Sequence, residues 1–221
     1  MEAKAKFKII YSEETIRFLN SLDEKAKAKI MYNINKSKYV IDKELFKKLD
    51  DADDIWEFRT LYNGISYRLF AFWDTDKETL VITTHGIIKK PQKTPSKEIA
   101  KAKEIRKIYF NSKSEDMEEM KFYTEEEALD KVIGEKGTPV RNKYEDDINN
   151  FLIGEAIKQT REARNLTQEQ LGELMGVKRA QISKIESGKS VTFSTIIRAF
   201  KAMGVNSANL DLGSLGKVAL W

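Results

Sequence analysis

The stretch Thr167-Gln-Glu-Gln-Leu-Gly-Glu-Leu-Met-Gly-Val-Lys-Arg-Ala-Gln-Ile-Ser-Lys-Ile-Glu-Ser-Gly188 predicts two short helices joined at one glycine. Thr167 and Gln170 have the spacing of a capping box, in which two side chains satisfy free amide groups at a helix start. Gly176 can adopt the left-handed conformation that ends a helix. A helix, a tight turn and a second helix form the arrangement that inserts a helix into the major groove of DNA.

Apolar residues mark the side of each helix that we expect to be buried. They recur at helical spacing and are Leu171, Leu174 and Met175 in the first helix, and Val177, Ile182 and Ile185 in the second. The remaining residues near the start of the second helix are mostly polar or basic, and we expect them to face DNA: Lys178, Arg179, Ala180, Gln181, Ser183 and Lys184. The alternative is a small helical bundle with no role in nucleic-acid binding.

Two motifs in this region resemble the XRE/Cro/phage-repressor helix-turn-helix family: Leu-Thr-Gln-x-x-Leu-Gly-x-x-Met-Gly-Val at 166–177, and Ile-Ser-x-Ile-Glu-x-Gly at 182–188. The resemblance implies that Gln168 contacts a phosphate, and that four residues approach bases, namely Arg179, Ala180, Gln181 and Ser183. Lys178 stands where the family usually has Ser or Thr, so we expect weaker capping of the second helix. A repressor of this type implies a homodimer on a palindromic DNA operator.

Composition limits the remaining possibilities. The chain has 221 residues, no cysteine and one histidine, His85. These counts exclude disulfides and thiolate metal sites and argue against a classical zinc site, so we expect no metal and no cofactor. No apolar run approaches the length of a membrane span, and no apolar signal region follows the first residues. We therefore expect a soluble, cytoplasmic protein without a membrane partner.

The net charge of +4 conceals an alternation along the chain. Residues 1–113 carry 24 basic and 17 acidic side chains, residues 114–147 carry 5 and 12, and residues 148–221 carry 10 and 6. Two basic regions thus flank an acidic connector, which is either a solvated charge run or an internal mask for a surface that binds polyanions. The pattern predicts three parts: residues 1–113, 114–147 and 148–221.

The first part alternates between helical and strand periodicity. Ser12 is a candidate N-cap, and the pattern predicts helices over 24–37 and from Ser96 to Tyr109. Branched and aromatic runs at 55–61, 65–73 and 80–88 predict an antiparallel meander, with Asn63-Gly64 as a hairpin turn. Thr124 is a candidate cap of a short acidic helix. The fold class is therefore α+β, a small antiparallel sheet with helices, followed by an all-α bundle whose apolar tail could pair as an edge strand with a second copy.

Strand alternation places cations on the predicted sheet. Glu57 and Arg59 share one side of their strand, Ser66 and Arg68 share a side of the next, and Thr83 and His85 share a side of the third. Lys89, Lys90 and Lys93 follow at the rim. If these sides coincide, the sheet carries a cationic face suited to an RNA backbone.

Each of these residues also has a structural interpretation. His85 could only hydrogen-bond a strand end, Arg68 could form a structural ion pair with Glu57, and the lysines could be solvated surface residues. Trp56 and Phe72 are better explained as core residues than as platforms for base stacking.

The motifs Trp56-Glu-Phe-Arg59, Tyr67-Arg68-Leu-Phe70 and His85-Gly-Ile-Ile-Lys-Lys-Pro-Gln-Lys-Thr-Pro95 resemble phage-derived Gp49-like toxins of the HigB branch in the RelE superfamily. The resemblance spans about residues 5–110. It implies a RelE-like fold and a metal-independent endoribonuclease that cuts mRNA, commonly on the ribosome. It also implies a partner antitoxin of the HigA type, which carries an XRE helix-turn-helix.

The resemblance assigns roles to six residues. Arg59 and Arg68 would hold the phosphate, and His85 is a candidate base. Lys89, Lys90 and Lys93 would position RNA or transfer protons.

The sequence therefore predicts a toxin–antitoxin pair in one chain, inhibited while intact through contacts within one chain or between copies. The alternative is a transcription regulator without enzymatic activity, whose first domain only binds a partner.

Overall fold

The computed structural model describes residues 5–40, 42–50, 52–74, 76–77, 80–89, 95–112, 120–211 and 216–221. Lys90, Lys93, Lys113 and residues 114–119 of the predicted connector lie outside these ranges. The chain divides into two compact units between Tyr144 and Glu145. In the described part of the chain, no helix is both long enough and apolar enough to cross a membrane.

The secondary structure follows the order β1 (Lys8–Ser12), α1 (Glu13–Asn20), α2 (Glu24–Ser37), β2 (Phe46–Lys48), β3 (Ile55–Tyr62), β4 (Ile65–Trp73), β5 (Leu80–Lys89), α3 (Ser96–Ser112), β6 (Phe122–Tyr123), α4 (Glu125–Val132), α5 (Pro139–Ala163), α6 (Gln168–Met175), α7 (Arg179–Glu186), α8 (Phe193–Ala202), β7 (Asn209–Asp211) and β8 (Lys217–Ala219). The predicted caps are confirmed, since Ser12 accepts a hydrogen bond from the Thr15 amide and Thr124 forms a capping box with Glu127.

The first unit contains a six-stranded sheet in the order β2-β3-β4-β5-β1-β6. The predicted antiparallel meander of β3, β4 and β5 is confirmed. The sheet as a whole is mixed, because β1 runs parallel to β5 with Ile9 opposite Val81. The short strand β6 then pairs with the outer edge of β1, with Tyr123 opposite Tyr11. The α+β fold class is confirmed.

Helices cover both faces of this sheet. On one face, Phe70, Phe72 and Ile82 pack against Ala102 and Ile105 of α3, and we call this side the α3 face. The other side is the α1–α2 face, where Asn33 of α2 donates to the Thr60 hydroxyl and Phe18 of α1 lies against Gly86. A side chain at Gly86 would collide with the Phe18 ring, so this glycine permits close helix–sheet packing.

A β-bulge in β5 overturns one expectation. Phe70 pairs with His85, but the next residue, Ala71, pairs with Thr83, so Thr84 is the extra residue. Neighbouring residues on β4 point to opposite sides, and so do their partners. Thr83 and His85 therefore lie on opposite faces, and the predicted pairing of these two side chains is wrong.

Of the acidic connector, residues 120–144 belong to the first unit and pack into it, whereas residues 145–147 belong to the second unit. α4 lies against α1, α2 and β1, and Glu125 at its start accepts two hydrogen bonds from Lys38 Nζ, at 2.6 and 2.7 Å. Tyr144 is buried, and its hydroxyl donates to the Met31 carbonyl oxygen at 3.2 Å. We call residues 120–144 the acidic arm. Within the arm, α4 lies with the helices that cover the face opposite α3, whereas Met120 and Phe122 pack against the core on the α3 face.

The second unit is a helical bundle. Its core contains Ile157, Leu171, Met175, Ile182, Ile185, Ala199 and Met203. The predicted helix-turn-helix is present as α6 and α7, and Gly176 between them is left-handed, with φ of 65°. The tail forms a hairpin of β7 and β8 within the chain, so the structure shows pairing inside one copy where the sequence had suggested pairing with a second.

Candidate active site and DNA-binding surface

Two arginines and a glutamate meet on the α3 face of the sheet. Arg59 and Arg68 are direct cross-strand partners, and Glu57 lies two residues before Arg59, on the same side of β3. Glu57 Oε1 is 3.4 Å from Arg68 Nε and 3.5 Å from Arg59 Nε. One carboxylate oxygen therefore lies between two guanidinium groups.

This cluster has hydrogen-bonding capacity that the described residues do not use. Glu57 and Arg68 are buried, with exposed fractions of 4% and 6%. Among the described residues, Glu57 Oε2 and the Nε atoms of Arg59 and Arg68 have no hydrogen-bond partner. Leaving buried charged atoms unsatisfied costs free energy, which a ligand that bonded to them would recover.

The two arginines differ in their surroundings. Arg68 donates to the Tyr67 carbonyl oxygen at 2.9 Å, and burial lowers the pKa of its guanidinium while Glu57 opposes that change. The Arg59 side chain keeps 27% of its surface exposed and lies 3.5 Å from Glu44 at the edge of the sheet. Arg68 is thus a fixed charge and Arg59 an accessible one.

The arginine pair lies at the border of an open sheet surface. Leu61 and Ser66 pair beyond Arg59 and Arg68 on the same face, and Ser66 pairs in turn with Lys89. Leu61 is 69% exposed, whereas the other end of this face is covered by α3. Of the predicted lysines, the structure brings Lys89 to this surface.

His85 lies on the same face but is enclosed, with 2% of its surface exposed. Its ring stacks on Phe70 at 4.8 Å between centroids, and Phe70 in turn pairs with Glu57. His85 Nε2 is 3.2 Å from Glu98 Oε2, and Nδ1 is 3.0 Å from the Thr84 hydroxyl. Phe70 therefore separates His85 from the glutamate–arginine cluster.

Burial lowers the pKa of His85 below its ordinary 6.5, and nearby Lys101 lowers it further, while Glu14 and Glu98 act in the opposite direction. A neutral ring can donate from Nε2 to Glu98, and its Nδ1 lies beside the Thr84 hydroxyl, which donates to the Phe70 carbonyl oxygen at 3.2 Å. Both nitrogens thus have a polar neighbour, so the structure favours the alternative in which His85 is a structural hydrogen-bonding residue. The sequence reading missed Glu98 and Thr84, because these contacts depend on the docking of α3 and on the bulge.

The surfaces predicted to meet DNA lie on the second unit. Lys178, Arg179, Ala180, Ser183 and Lys184 are exposed, and Gln181 is half-buried. Lys178 is the N-cap of α7 and makes no side-chain cap hydrogen bond, which confirms the expected weak capping. The basic start of α7 is therefore accessible to a ligand.

A buried ion pair holds α6 and α7 in place. Glu186 accepts from Arg161 Nε at 2.5 Å, from Arg161 Nη2 at 3.1 Å and from Gln168 Nε2 at 2.8 Å. Arg161 also donates to the Leu166 carbonyl oxygen, and its hydrogen bonds with Glu186 raise the pKa of the guanidinium. The sequence reading did not identify Arg161. Gln168 is placed at the first turn of α6, and its contact with a phosphate stays a prediction.

No three histidine, aspartate or glutamate side chains in the described ranges are grouped closely enough to hold a metal ion.

Comparison with protein-family models gives two matches. Residues 17–107 match the family described as phage derived protein Gp49-like (DUF891), and residues 157–210 match the family described as helix-turn-helix. A search of curated proteins found no match to the chain. The first matched range contains the glutamate–arginine cluster, His85 and Lys89, and the second contains all of α6 and α7.

Proposed function

Because the chain joins a Gp49-like domain of the RelE/HigB toxin type to an XRE-type helix-turn-helix domain, we propose that it is a toxin–antitoxin system in one chain. Residues 1–113 are the ribonuclease, residues 114–147 the neutralising segment and residues 148–221 the operator-binding part. The order of basic, acidic and basic regions supports this division. The acidic arm packs into the first unit within one chain, and α4 does so on the side opposite the open surface at Arg59, so a neutralising effect would act without covering that surface.

The unsatisfied cluster of Glu57, Arg59 and Arg68 carries the enzymatic part of the proposal. Its two guanidinium groups are suited to a phosphate, which guanidinium binds through paired hydrogen bonds. The adjoining surface is open, so a single RNA strand can reach Arg59. The substrate we assign is mRNA, and the setting that the toxin family suggests is the ribosome.

The reaction is transesterification within the RNA. The ribose 2′-oxygen attacks the adjacent phosphorus and the bond from phosphorus to the 5′-oxygen breaks, which leaves a 2′,3′-cyclic phosphate and a 5′-hydroxyl. Glu57 accepts the 2′-hydroxyl proton at Oε2, and Arg59 and Arg68 stabilise the charge that develops on phosphorus. Lys89 donates a proton to the leaving oxygen, and Lys90 and Lys93 position the strand. His85 holds Glu98 and the end of β5 in place and takes no proton from RNA.

Expression of residues 1–113 in growing cells tests this function. Growth should stop, and cleaved mRNA should carry the two end groups named above. Arg68→Ala should lower the cleavage rate about 100- to 1,000-fold, the usual effect of removing one group that stabilises a transition state. Arg17→Ala is the matched control, because Arg17 is an exposed arginine on α1. The enzymatic role would be refuted if the fragment did not slow growth and if mRNA levels were equal in cells that express the unchanged fragment, Arg68→Ala and Arg17→Ala.

The second part acts as a dimeric repressor at a palindromic operator. Arg179→Ala should weaken specific binding by about 1–3 kcal/mol, whereas Gln168→Ala should weaken specific and random DNA alike. If Arg179→Ala lowered the affinity for operator DNA and for random DNA equally, Arg179 would not contact a base.

A second candidate function is a transcription regulator whose first domain only binds a partner. The burial of Arg68 against Glu57 favours this alternative, since such a pair also forms in proteins without activity. The growth experiment separates the two functions.

A further inference from the structure

A cavity opens on the first unit beside β2. Its volume is about 240 Å³, and it is lined by Lys6, Phe7, Ser37, Val40, Asp42, Phe46, Trp56 and Trp73. Trp56 pairs with Ala71 on β4, so it lies on the face opposite Phe70 and the glutamate–arginine cluster. None of the roles described so far uses this cavity.

Aromatic rings form most of its wall. Trp56 and Trp73 meet edge to face at 6.0 Å and 78°, and Phe46 stacks on Trp56 at 4.9 Å. Phe7 also lines the cavity, and its ring packs edge to face against Trp73 at 5.2 Å between centroids. Phe46 and both tryptophans are only half-buried, whereas the core residue Phe72 is fully buried. The indole rings therefore present surface to the cavity and can stack on a flat ligand.

The rim provides one anion and one cation. Asp42 Oδ1 accepts a hydrogen bond from the Glu44 amide at 2.8 Å, and among the described residues the Asp42 carboxylate forms no ion pair. Lys6 is exposed at the same opening. The free Asp42 oxygen can accept hydrogen bonds, and the Lys6 ammonium can donate them.

Guanine matches this arrangement better than the other bases. Its pairing edge presents two adjacent N–H donors beside the O6 acceptor, so a carboxylate can accept from the donors while an ammonium donates to O6. Adenine would direct an unprotonated ring nitrogen at the carboxylate, which is unfavourable. Stacking on an aromatic ring adds about 1–3 kcal/mol for any base, so the polar rim determines the preference.

One short turn joins the cavity to the arginine cluster. Asp42 and Phe46 line the cavity, while between them the Lys43 carbonyl oxygen and Glu44 each lie 3.5 Å from Arg59. A strand of RNA with a phosphate at Arg59 can therefore turn a neighbouring base around the edge at β2 and into the cavity.

We propose that this cavity is a base-recognition pocket that takes a guanine of single-stranded RNA next to the phosphate held by Arg59 and Arg68. One indole stacks on the base while the other, whose plane is at 78° to the first, packs against the base edge. Asp42 accepts from the N–H groups of the base and Lys6 donates to O6. The choice of RNA as the source of the base rests on the proposed ribonuclease function. Recognition of guanine itself does not rest on that function.

Nucleotide binding to the full chain tests the pocket without any need for cleavage. In a Trp221→Phe background, the remaining tryptophans are the two in the pocket. Guanosine 5′-monophosphate should quench their fluorescence to saturation, adenosine 5′-monophosphate should bind more weakly, and ribose 5-phosphate should have no effect. Quenching by ribose 5-phosphate equal to that by the guanine nucleotide would overturn the proposal.

Matched variants test the rim. Asp42→Asn should weaken binding of the guanine nucleotide at least about tenfold, because it removes a charge-assisted hydrogen bond. Asp50→Asn is the control, since Asp50 is exposed and does not line the cavity. Equal affinities of the two variants would overturn the assignment of Asp42. Trp56→Phe keeps an aromatic ring in the cavity wall, so the unit should still fold, and it should reduce both quenching and affinity.

Binding of two RNA hexamers tests whether the natural ligand of the pocket is a base of RNA or a free nucleotide. A uridine hexamer with one internal guanosine should bind more tightly than hexauridine. Arg68→Ala should weaken binding of the guanosine-containing hexamer, because the proposed site holds the phosphate next to the guanine. Equal affinity for the two hexamers would overturn the proposal that this pocket recognises a guanine base in RNA. If guanine binding is confirmed in a chain whose residues 1–113 do not cleave RNA, the proposed ribonuclease fails while the pocket stands.

Discussion

Replacing Glu125 by alanine should loosen the acidic arm from the rest of the first unit. In the intact chain both carboxylate oxygens of Glu125 accept from Lys38 Nζ. The Lys38 side chain is 9% exposed and that of Glu125 is 26% exposed. Glu125→Ala would therefore leave an ammonium group buried without its partner.

The size of the effect follows from this burial. Removing one partner of a fully buried ion pair costs about 3–5 kcal/mol, and a hydrogen bond to a charged group contributes about 1.5–3 kcal/mol. Because Glu125 is partly exposed, we expect a loss of about 2–3 kcal/mol in the free energy that holds the arm closed. At about 1.4 kcal/mol for each factor of ten, the open population should rise roughly 30- to 150-fold.

Amide hydrogen exchange of Tyr123 in β6 and Leu129 in α4 would measure this opening in the full chain. Glu104→Ala is the control, because Glu104 is an exposed glutamate on α3. The double variant Lys38→Met, Glu125→Leu should recover much of the loss, since it leaves no buried charge. Exchange accelerated less than about threefold by Glu125→Ala would refute the reasoning, because even the smallest expected loss corresponds to roughly 30-fold.

Three further predictions concern buried groups. Glu186→Ala should destabilise the second unit by about 3–5 kcal/mol, since Arg161 would lose its carboxylate partner, and exchange of α7 amides should show it. Because the pKa of His85 is lowered in the folded state, the unfolded chain binds more protons below pH 6.5, and stability should fall as the pH drops through that value. Urea unfolding at a series of pH values should show a smaller fall in His85→Gln, and equal slopes would contradict the assignment. Gly154→Ala should cost about 1–3 kcal/mol, because its Cβ would lie 2.6 Å from the Glu186 carbonyl oxygen, and a lowered thermal midpoint would report it.

Local features of the fold were predictable from the sequence because their causes are local. The predicted helix over 24–37 has those bounds in the structure, since Asp23 caps its start and apolar residues recur along it. Asn63 and Gly64 both have positive φ, as a tight hairpin turn requires, and they fix the register that pairs Arg59 with Arg68. The convergence of these arginines with Glu57 follows from that register.

Contacts between distant segments were not predictable in the same way. The parallel pairing of β1 with β5 joins residues about seventy positions apart, and no turn signal marks it. Helix α5 begins at Pro139, in a Gly137-Thr-Pro139 stretch whose residue types alone would predict a helix break. Proline fits the first turn of a helix, where its missing N–H is not needed, so this residue starts the helix instead of breaking it. The bulge at Thr84 has no sequence signal of its own.

Strand β6 has a consequence for how the protein is made. Strand β6 belongs to the same polypeptide as β1. A newly synthesised toxin-like domain therefore gains this strand as soon as the following residues have been translated. At about 5–20 residues per second, synthesis from residue 112 to residue 144 takes roughly 2–6 seconds. Under the proposed function, the toxin and antitoxin parts are then produced in equal numbers whatever the transcript level. Under the proposed function, release of the activity would have to come from a change within the chain, since the supply of a separate partner could not run short.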